Sequence, residues 1–253
     1  MIKLALTSDT HYGHSKNTHR IHEKFLEALA ADIKTNDVKA LIHAGDWTSY
    51  KQDQFKRTLA MFRKYIPANI PIVAVRGNHD LWQGGNRKKF GYIHHHGQMM
   101  QQHEEWFKAN NIHHLEAGPM QLGDVIIYGF DGWYRVAEPT TNDEIYMGWN
   151  DVEGCPIMPY LSNRAHKKLD EILAQDLSGY RASVLVTHHP SFTDDPGYED
   201  LCANLKFFDP IVEKFDAYAV GHSHQFINQR FGKCLVLNSG SDYDKPKHLI
   251  FEV

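Results

Sequence analysis

The sequence is poor in cysteine. Its 253 residues include three, Cys155, Cys202 and Cys234, which lie far apart and form no C-x-x-C pair. An odd number of widely spaced cysteines argues against both a disulfide framework and a zinc ribbon. The sequence therefore fits a reducing compartment best.

The sequence also lacks long apolar runs and an excess of positive charge. No apolar stretch reaches the length of a membrane-spanning helix, and residues 1–9 lack the pattern of a secretory signal. The formal net charge is -4, so the composition does not favour nonspecific binding to a nucleic-acid backbone. These absences predict a cytoplasmic protein without a membrane partner, and they favour a small-molecule partner over nucleic acid.

Histidine, in contrast, is abundant, with 18 residues. Its neutral imidazole is the commonest metal ligand in proteins. A single histidine is nevertheless more often a surface or core side chain than a ligand. Only a specific arrangement of histidines with other polar residues would therefore indicate a metal site.

The first 75 residues alternate between strand patterns and helical patterns. Strands are predicted at 2–8, 40–43 and 70–75, and helices at 19–34 and 52–65. Such alternation is typical of an α/β fold. With 42% apolar residues, a chain of this length can form one substantial core, which predicts a single domain over residues 1–253.

The pattern changes in the second half of the chain. The stretch at 131–160 holds Gly, Pro, Trp and Tyr without periodicity, and we interpret it as a lid or pocket insertion. The last strands predict a hairpin-like, antiparallel end of the chain. The remaining predicted elements are helices at 99–109 and 160–175 and strands at 112–115, 119–129, 182–187, 216–220, 225–231, 234–238 and 247–253.

Polar residues follow the predicted strands in an ordered series. In open α/β sheets, ligands bind beyond the carboxyl ends of the strands, where residues distant in sequence converge. The series is Asp9-x-His11, Gly45-Asp46, Gly77-Asn78-His79-Asp80, His188 and Gly221-His222-Ser223-His224. The convergence predicts one site that is built from all five segments.

The residue types of this series suit two divalent metal ions. Asp9 and His11 are two residues apart, so both side chains can reach one ion, and the two histidines of the last segment have the same spacing. The Asp46 carboxylate has two oxygens and can bridge two cations, while Asn78 offers a neutral carbonyl oxygen. Such a set without thiolates favours manganese, iron, zinc or nickel over calcium.

Two such ions would support hydrolysis of a phosphate ester. When they lie about 3.5 to 4 Å apart, they can activate a bridging hydroxide as nucleophile and clamp the phosphoryl oxygens. His79 is then placed to protonate the leaving oxygen or to stabilise charge in the transition state. Asp80 is a candidate to orient His79 through its ring nitrogen. Glycines at 45, 77 and 221 allow tight backbone turns beside the ions.

The series resembles that of the calcineurin-like metallophosphoesterases, whose blocks are D-x-H, G-D, G-N-H-D or G-N-H-E, a lone His, and G-H-x-H. All five blocks occur in order, from Asp9 to His224. The resemblance implies a four-layer α/β/β/α sandwich with two facing mixed β-sheets, in which His79 is the catalytic histidine. It implies that one ion, for which we expect manganese, is held by Asp9, His11, Asp46 and His224, and a second by Asp46, Asn78, His188 and His222.

Two histidine-rich segments are open to two interpretations. In Thr187-His188-His189-Pro190 either imidazole can face the metals, and we prefer His188 because it matches the family position. His94-His95-His96 with His103 is more typical of a solvated loop than of a third metal site.

Other residues near the series also have two interpretations. Arg87-Lys88-Lys89 is more typical of an exposed charged patch than of a phosphate grip. Arg76 and His14 lie close in sequence to the matched residues and are candidates to touch a substrate oxygen. The aromatic residues of the insertion either stack on a nucleobase or cap the core; they are Trp133, Tyr134, Tyr146, Trp149 and Tyr160.

The sequence says less about the substrate. The block that begins at Gly45-Asp46 continues Trp47-Thr48-Ser49-Tyr50, without the arginines of the family's protein phosphatases, and the later block ends in Asp80. The pattern is more similar to the prokaryotic branch. We therefore hypothesise a phosphodiesterase for a small nucleotide-like substrate, with a DNA or RNA nuclease or a phosphomonoesterase as enzymatic alternatives. A non-catalytic scaffold is the alternative of another class, and the complete set of five blocks argues against it.

Overall fold

Two β-sheets face each other in the computed structural model. The structure describes residues 1–49, 52–81, 92–132, 158–192 and 205–253, and nothing is said below of the others. Within these residues, eleven strands divide between a five-stranded and a six-stranded sheet. Both sheets are mixed, because each contains parallel and antiparallel neighbours.

The first sheet contains most of the amino-terminal strands. Its order is β11-β1-β2-β3-β4, in which β1 to β4 run parallel and β11 pairs antiparallel with β1. The carboxyl ends of β1, β2 and β3 therefore meet at one edge of the sheet. The strands are β1 (Lys3–Thr7), β2 (Ala40–Ala44), β3 (Ile72–Val75), β4 (Ile112–His114) and β11 (Leu249–Glu252).

The second sheet has the order β5-β6-β7-β8-β10-β9. Its four central strands run parallel, and the two edge strands β5 and β9 pair antiparallel with their neighbours. The strands are β5 (Met120–Leu122), β6 (Val125–Gly129), β7 (Ala182–Val186), β8 (Ala217–Ala219), β9 (Phe226–Phe231) and β10 (Cys234–Ser239).

Helices cover the outer faces of both sheets. Apolar residues of α1, α2 and α4 pack on the first sheet, and those of α5 and α6 on the second. The helices are α1 (Thr18–Thr35), α2 (Gln52–Tyr65), α3 (Asn78–Leu81), α4 (Tyr92–Ala109), α5 (Met158–Leu173) and α6 (Phe208–Lys214), with single 3-10 turns at Leu115–Ala117 and Leu205–Phe207.

Alternating side chains build the layers of the core. In β1, Leu4 and Leu6 point between the sheets, whereas Ala5 packs against the helices. In β7, Leu185 faces the outer helices while its neighbours Val184 and Val186 face the first sheet. Since each fully buried aliphatic side chain stabilises the fold by about 1.5 to 3 kcal/mol, this alternation favours a single register for these two strands. The expected four-layer α/β/β/α sandwich is confirmed.

Several predicted elements differ from the structure. The predicted strand 119–129 is a hairpin of β5 and β6, because Gly123 has a left-handed backbone with φ of 61°. The end of the chain is not wholly antiparallel: β8 runs parallel to β7 and β10, and β11 joins the first sheet. The helices α3 and α6 were not predicted.

The expectation for the second histidine-rich segment is wrong in one respect. His94-His95-His96 lies within α4 and not in a loop. His103, in the same helix, is buried, stacks on Phe55 with ring centroids 4.0 Å apart and forms a hydrogen bond with Gln52. This histidine therefore belongs to the packing of α4 on α2.

Some expectations fall on residues outside the described ranges. These are the Arg87-Lys88-Lys89 segment, most of the 131–160 insertion, and four of its aromatic residues. The fifth aromatic residue, Tyr160, lies in α5 and is exposed. None of the described helices is long and apolar enough to cross a membrane.

Candidate metal centre

The five polar segments of the sequence meet between the two sheets. Each follows the carboxyl end of a strand, from β1, β2 and β3 in the first sheet and from β7 and β8 in the second. Hydrogen bonds join the segments directly: the His188 ring donates from Nδ1 to the carbonyl oxygen of Ala44 at 2.8 Å, and the His222 backbone N–H donates to Asp9 Oδ1 at 2.9 Å. The sandwich thus brings residues more than 200 positions apart into one site.

The backbone of this site is strained. Among the described residues, eight that are not glycine have positive φ. Five of these eight belong to the series: Asp9, His11, Asp46, His222 and His224. Each such conformation costs about 1 to 3 kcal/mol and persists where the surrounding structure enforces it, which is most common at functional sites.

One group of close ligand atoms consists of Asp9, His11 and His224. Nε2 of His11 and Nε2 of His224 lie 3.1 Å apart, and His224 Nε2 lies 3.5 Å from Asp9 Oδ1. Asp9 Oδ2 and His11 Nδ1 are buried and have no hydrogen-bond partner among the described residues. A buried carboxylate oxygen without a partner is costly, so this group fits a cation.

A second group surrounds His188. Its Nε2 lies 2.9 Å from Asn78 Oδ1 and 3.4 Å from Asp46 Oδ2, and its ring centroid lies 5.3 Å from that of His222. Asp46 Oδ2 also lies 3.7 Å from Nε2 of His11 in the first group. Asp46 therefore stands between the two groups, as a shared ligand would.

The two adjacent histidines after β7 have different surroundings. His188 faces Asp46 and Asn78, whereas His189 donates from Nδ1 to the Gly132 carbonyl oxygen at 2.6 Å. His189 still belongs to a third group of close ligand atoms, with His188 and His222. The geometry supports the preference for His188, which stays a prediction.

Burial and neighbouring charges shift the pKa values in the site. Burial opposes ionisation of Asp9, but the hydrogen bond to His224 and the charges of nearby histidines lower its pKa to about 2. Burial lowers the pKa of both His11 and His222 to about 3. Burial alone would do the same to His188, but Asp46 raises its pKa to about 9.

The ring of His79 faces the Asp46 carboxylate. Its Nδ1 donates a hydrogen bond to the carbonyl oxygen of Ser49 at 2.8 Å, and its Nε2 lies 3.9 Å from Asp46 Oδ2. The backbone N–H of His79 also donates to Asp46 Oδ1 at 2.9 Å. Because Nδ1 is bonded to Ser49, Nε2 is the ring nitrogen that faces Asp46.

The expected partner of His79 needs correction. Asp80 does not orient this ring, because its carboxylate accepts hydrogen bonds from the backbone N–H groups of Thr48 at 3.1 Å and Gly77 at 2.9 Å. The Ser49 carbonyl has the orienting role instead. Asp80 therefore joins the loops after β2 and β3, and burial together with the charge of Asp46 raises its pKa well above the usual value.

Comparison with known proteins identifies the family. The model of the family described as calcineurin-like phosphoesterase matches residues 2–226. The chain belongs to this family. It is therefore a phosphoester hydrolase, as the sequence predicted, and the residue groups above are able to hold the metal ions on which this family depends.

Individual known proteins resemble this chain over a short stretch or at low sequence identity. A DNA double-strand break repair protein Mre11 from Haloferax volcanii is 34% identical over 92 residues, a stretch that covers 34% of this chain and 21% of that protein. The phosphopantetheinyl hydrolase PptH from Mycobacterium tuberculosis has a TM-score of 0.68 at 16% identity, with 96% of this chain and 90% of that chain covered. A dimetal phosphatase from Danio rerio gives 0.58 at 12% identity, with 94% and 88% covered. At such identities the two structures show the fold alone.

Two glycines of the phosphoesterase allow close approach of the backbone. A Cβ at Gly77 would lie 2.1 Å from Asp46 Oδ1, and one at Gly221 would lie 2.9 Å from Asp9 Oδ2 and 2.7 Å from the carbonyl oxygen of Ala44. A side chain at either position would displace a candidate ligand, which explains why the sequence places glycine there.

A cluster of buried ion pairs centres on Arg76, the residue before Gly77. Arg76 is buried and bonds to Asp131 through Nε at 2.7 Å, and its own backbone N–H donates to the same carboxylate. Arg76 is thus occupied by Asp131, which argues against the expectation that it touches substrate. His114 lies between two carboxylates, with Nε2 2.7 Å from Asp131 Oδ1 and Nδ1 2.6 Å from Glu104 Oε1.

The charge of His114 leads to a prediction about stability. Burial lowers its pKa, but Asp131 and Glu104 outweigh this effect and raise the pKa above 6.5. A raised pKa contributes stability that is complete below the unfolded value and is lost as pH rises through the folded value. We expect His114→Gln to lower the free energy of unfolding by roughly 3 kcal/mol at pH 6, since it breaks a buried charge pair, and by clearly less at pH 9.

Urea unfolding of the variant and wild type at both pH values measures this difference. His113→Gln is the matched control, because His113 is the adjacent residue and bonds only to the Gly118 carbonyl among the described residues. A difference for His114→Gln that does not change with pH would contradict a charged His114.

Several residues of the site were not predicted from the sequence. Tyr243 packs on His11, with ring centroids 4.2 Å apart, and Asp242 lies 3.2 Å from Nδ1 of His224. Two further histidines contact Thr10, between Asp9 and His11. Nε2 of His22 lies 2.7 Å from the Thr10 carbonyl oxygen, and Nε2 of His43 lies 3.2 Å from the Thr10 hydroxyl. These residues belong to no spaced motif, and only the abundance of histidine pointed toward two of them.

Proposed function

We propose that this phosphoesterase is a binuclear metal-dependent phosphodiesterase that acts on a small nucleotide-like substrate. The observation that carries the proposal is the pair of buried ligand groups that share Asp46 and lie beside His79. In the proposed assignment, Asp9, His11, Asp46 and His224 hold one ion, and Asp46, Asn78, His188 and His222 hold the other. Manganese is the proposed metal, with iron, zinc or nickel as substitutes.

Two ions in this position would supply an activated water and neutralise charge on the phosphoryl oxygens. The chain itself supplies the acid. His79 is fixed at Nδ1 by the Ser49 carbonyl, so in the imidazolium form the proton on Nε2 is the one that can be transferred. As the water oxygen bonds to phosphorus and the bond from phosphorus to the leaving oxygen breaks, that proton passes to the leaving oxygen. The products are a phosphomonoester and an alcohol.

The charge around the site supports a diester over a monoester. The ion pairs and hydrogen bonds that the two groups form with described residues involve no lysine or arginine. Arg76, the nearest arginine in sequence, is paired with Asp131. A monoester dianion carries more charge to neutralise than a diester monoanion, so ligand groups that pair with no lysine or arginine among the described residues suit the diester better.

The competing functions act on related substrates. The Mre11 relative favours a nuclease as second candidate, since it is described as a DNA double-strand break repair protein. The net charge of -4 favours a small substrate instead.

We further propose that the chain is one domain of the Gly-Asn-His-Asp branch, with residues 131–160 as a lid or pocket wall.

Hydrolysis of two model substrates tests the proposal. With manganese, we expect bis(p-nitrophenyl) phosphate to be cleaved at least about tenfold more efficiently than p-nitrophenyl phosphate, a difference of about 1.4 kcal/mol in transition-state binding. Cleavage of the monoester alone would overturn the diesterase assignment. Faster cleavage of labelled single- or double-stranded DNA or RNA than of dinucleotides would favour the nuclease, and no turnover with any metal would favour the scaffold.

A further inference from the structure

We propose that Tyr243 is a positioning residue of the site, which holds His79 through its hydroxyl and covers His11 with its ring. The Tyr243 hydroxyl lies 3.2 Å from Nε2 of His79. The Tyr243 ring stacks on the His11 ring at 4.2 Å between centroids and an angle of 27°. The inference rests on the proposed function, because it is there that His79 acts on the leaving oxygen.

The residues on either side of Tyr243, Asp242 and Asp244, form hydrogen bonds with residues in or near the site. Asp242 Oδ1 accepts a hydrogen bond from the Tyr243 backbone N–H at 2.7 Å and lies 3.2 Å from Nδ1 of His224. On the other side, the Ser15 hydroxyl donates to Asp244 Oδ1 at 2.8 Å. The turn is therefore held by His224 of the last segment and by Ser15, four residues after the first segment, and the position of Tyr243 does not depend on its own contacts alone.

Further packing restricts the ring of Tyr243. The His14 ring lies 4.5 Å from it, and the His224 ring lies 5.2 Å from it at an angle of 74°. Tyr243 is thus surrounded by histidines of the site and is half-buried. His14, which is exposed, packs on Tyr243, and its contact with a substrate oxygen stays a prediction.

The consequence for His79 is that both of its ring nitrogens have a fixed partner. Nδ1 donates to the Ser49 carbonyl, and Nε2 faces the Tyr243 hydroxyl. In the imidazolium form the single Nε2 proton is then shared between the Tyr243 hydroxyl oxygen and the leaving oxygen, which keeps the ring aligned for the transfer. Misplacement by about 1 Å is enough to lower a rate about 100-fold. Tyr243 keeps its own proton throughout, so the proton balance of the proposed reaction is unchanged.

The variant Tyr243→Phe isolates the hydroxyl, because it retains the ring that stacks on His11. We expect kcat for the diester diphenyl phosphate to fall about 10- to 100-fold with little change in KM, since the variant weakens proton transfer in the transition state and not substrate binding. The loss for bis(p-nitrophenyl) phosphate should be smaller, because a good leaving group needs less protonation. Metal content and melting temperature should match wild type.

Tyr65→Phe is the matched control. Tyr65 also has a hydrogen-bonded hydroxyl, which contacts Glu23 at 3.3 Å, and it lies at the end of α2 away from the site. This variant should leave the kinetics for both substrates unchanged.

A second readout does not depend on turnover. Long-range proton–nitrogen NMR of the histidine rings, with the His79 signal assigned from a His79→Ala sample, should show a shifted Nε2 signal in Tyr243→Phe and not in Tyr65→Phe. An unmoved His79 signal, or equal losses of kcat for the two esters, would overturn the inference. If wild type cleaves no phosphodiester, the proposed function fails, and the NMR signal alone then decides on the contact.

Discussion

Replacing His79 with alanine is expected to lower kcat for phosphodiester hydrolysis by about 100- to 10,000-fold, the usual contribution of a general acid. The ring nitrogen that faces Asp46 is the proposed proton donor. The His188 ring is also held at Nδ1 by a backbone carbonyl beside Asp46, but its Nε2 faces Asn78 and it is a proposed metal ligand. The backbone N–H that bonds to Asp46 Oδ1 remains in the variant, so the ligand should keep its position. The loss should be largest for substrates with poor leaving groups.

Metal content separates this role of His79 from that of a ligand. His79 also belongs to a group of close ligand atoms with His11 and Asp46. If the variant retains both metal ions while kcat falls, His79 acts as the acid; if it loses an ion, His79 is a ligand and the proposed assignment is wrong. His248→Ala is the control, because His248 bonds to Asp32 on the distant α1.

The second large effect is expected for Asp46→Asn. The amide can retain the hydrogen bond to the backbone of His79 and tolerates the positive φ of 56°, but it removes the charge between the two ligand groups. Partners that merely orient ligands cost about 10- to 100-fold in metal affinity when removed, and a shared ligand should cost more. We expect the variant to bind at most one ion and its rate to fall to the rate that free metal ions give without the protein.

The chain offers a close control for this substitution. Asp37 has a φ of 55°, is exposed and contacts Lys39 outside the site. Asp37→Asn should therefore retain both ions and full activity. Normal metal binding by Asp46→Asn, measured by isothermal titration with manganese, would show that Asp46 is not shared.

The parts of the site that the sequence could predict depend on local patterns. A buried parallel strand is a short apolar run, and the polar residue after it can be read directly from the sequence, as for Asp9 after β1 and Asp46 after β2. Because parallel strands end at one edge of a sheet, their convergence follows from the fold class. The five strand ends and the family could be predicted for this reason.

The remaining features depend on contacts that no local pattern encodes. The cluster of Arg76, Asp131 and His114 joins three segments, so each residue alone looks like an ordinary polar position. Asp80 has the sequence position of an orienting partner for His79, but the tight turn at Gly77 directs its carboxylate toward backbone N–H groups. Tyr243 reaches His79 only because the turn after β10 folds over the first segment.

Two errors in the prediction of the fold from the sequence have the same physical origin. The strand β8 has only three residues, and its parallel pairing with β7 and β10 is set by neighbours that are distant in sequence. The helix α3 has four residues, too few for an amphipathic pattern to be detected. Short elements adopt the conformation that the surrounding layers impose, and sequence periodicity contains little information about them.

Native mass spectrometry of the manganese-loaded protein, with the rate of phosphodiester hydrolysis followed during metal titration, tests the binuclear site most directly. The proposed binuclear site predicts a mass increase of two ions per chain and a rate that reaches its maximum only when the second ion is bound. One ion per chain with full activity, or no bound ion at any manganese concentration that supports turnover, would contradict the proposed site.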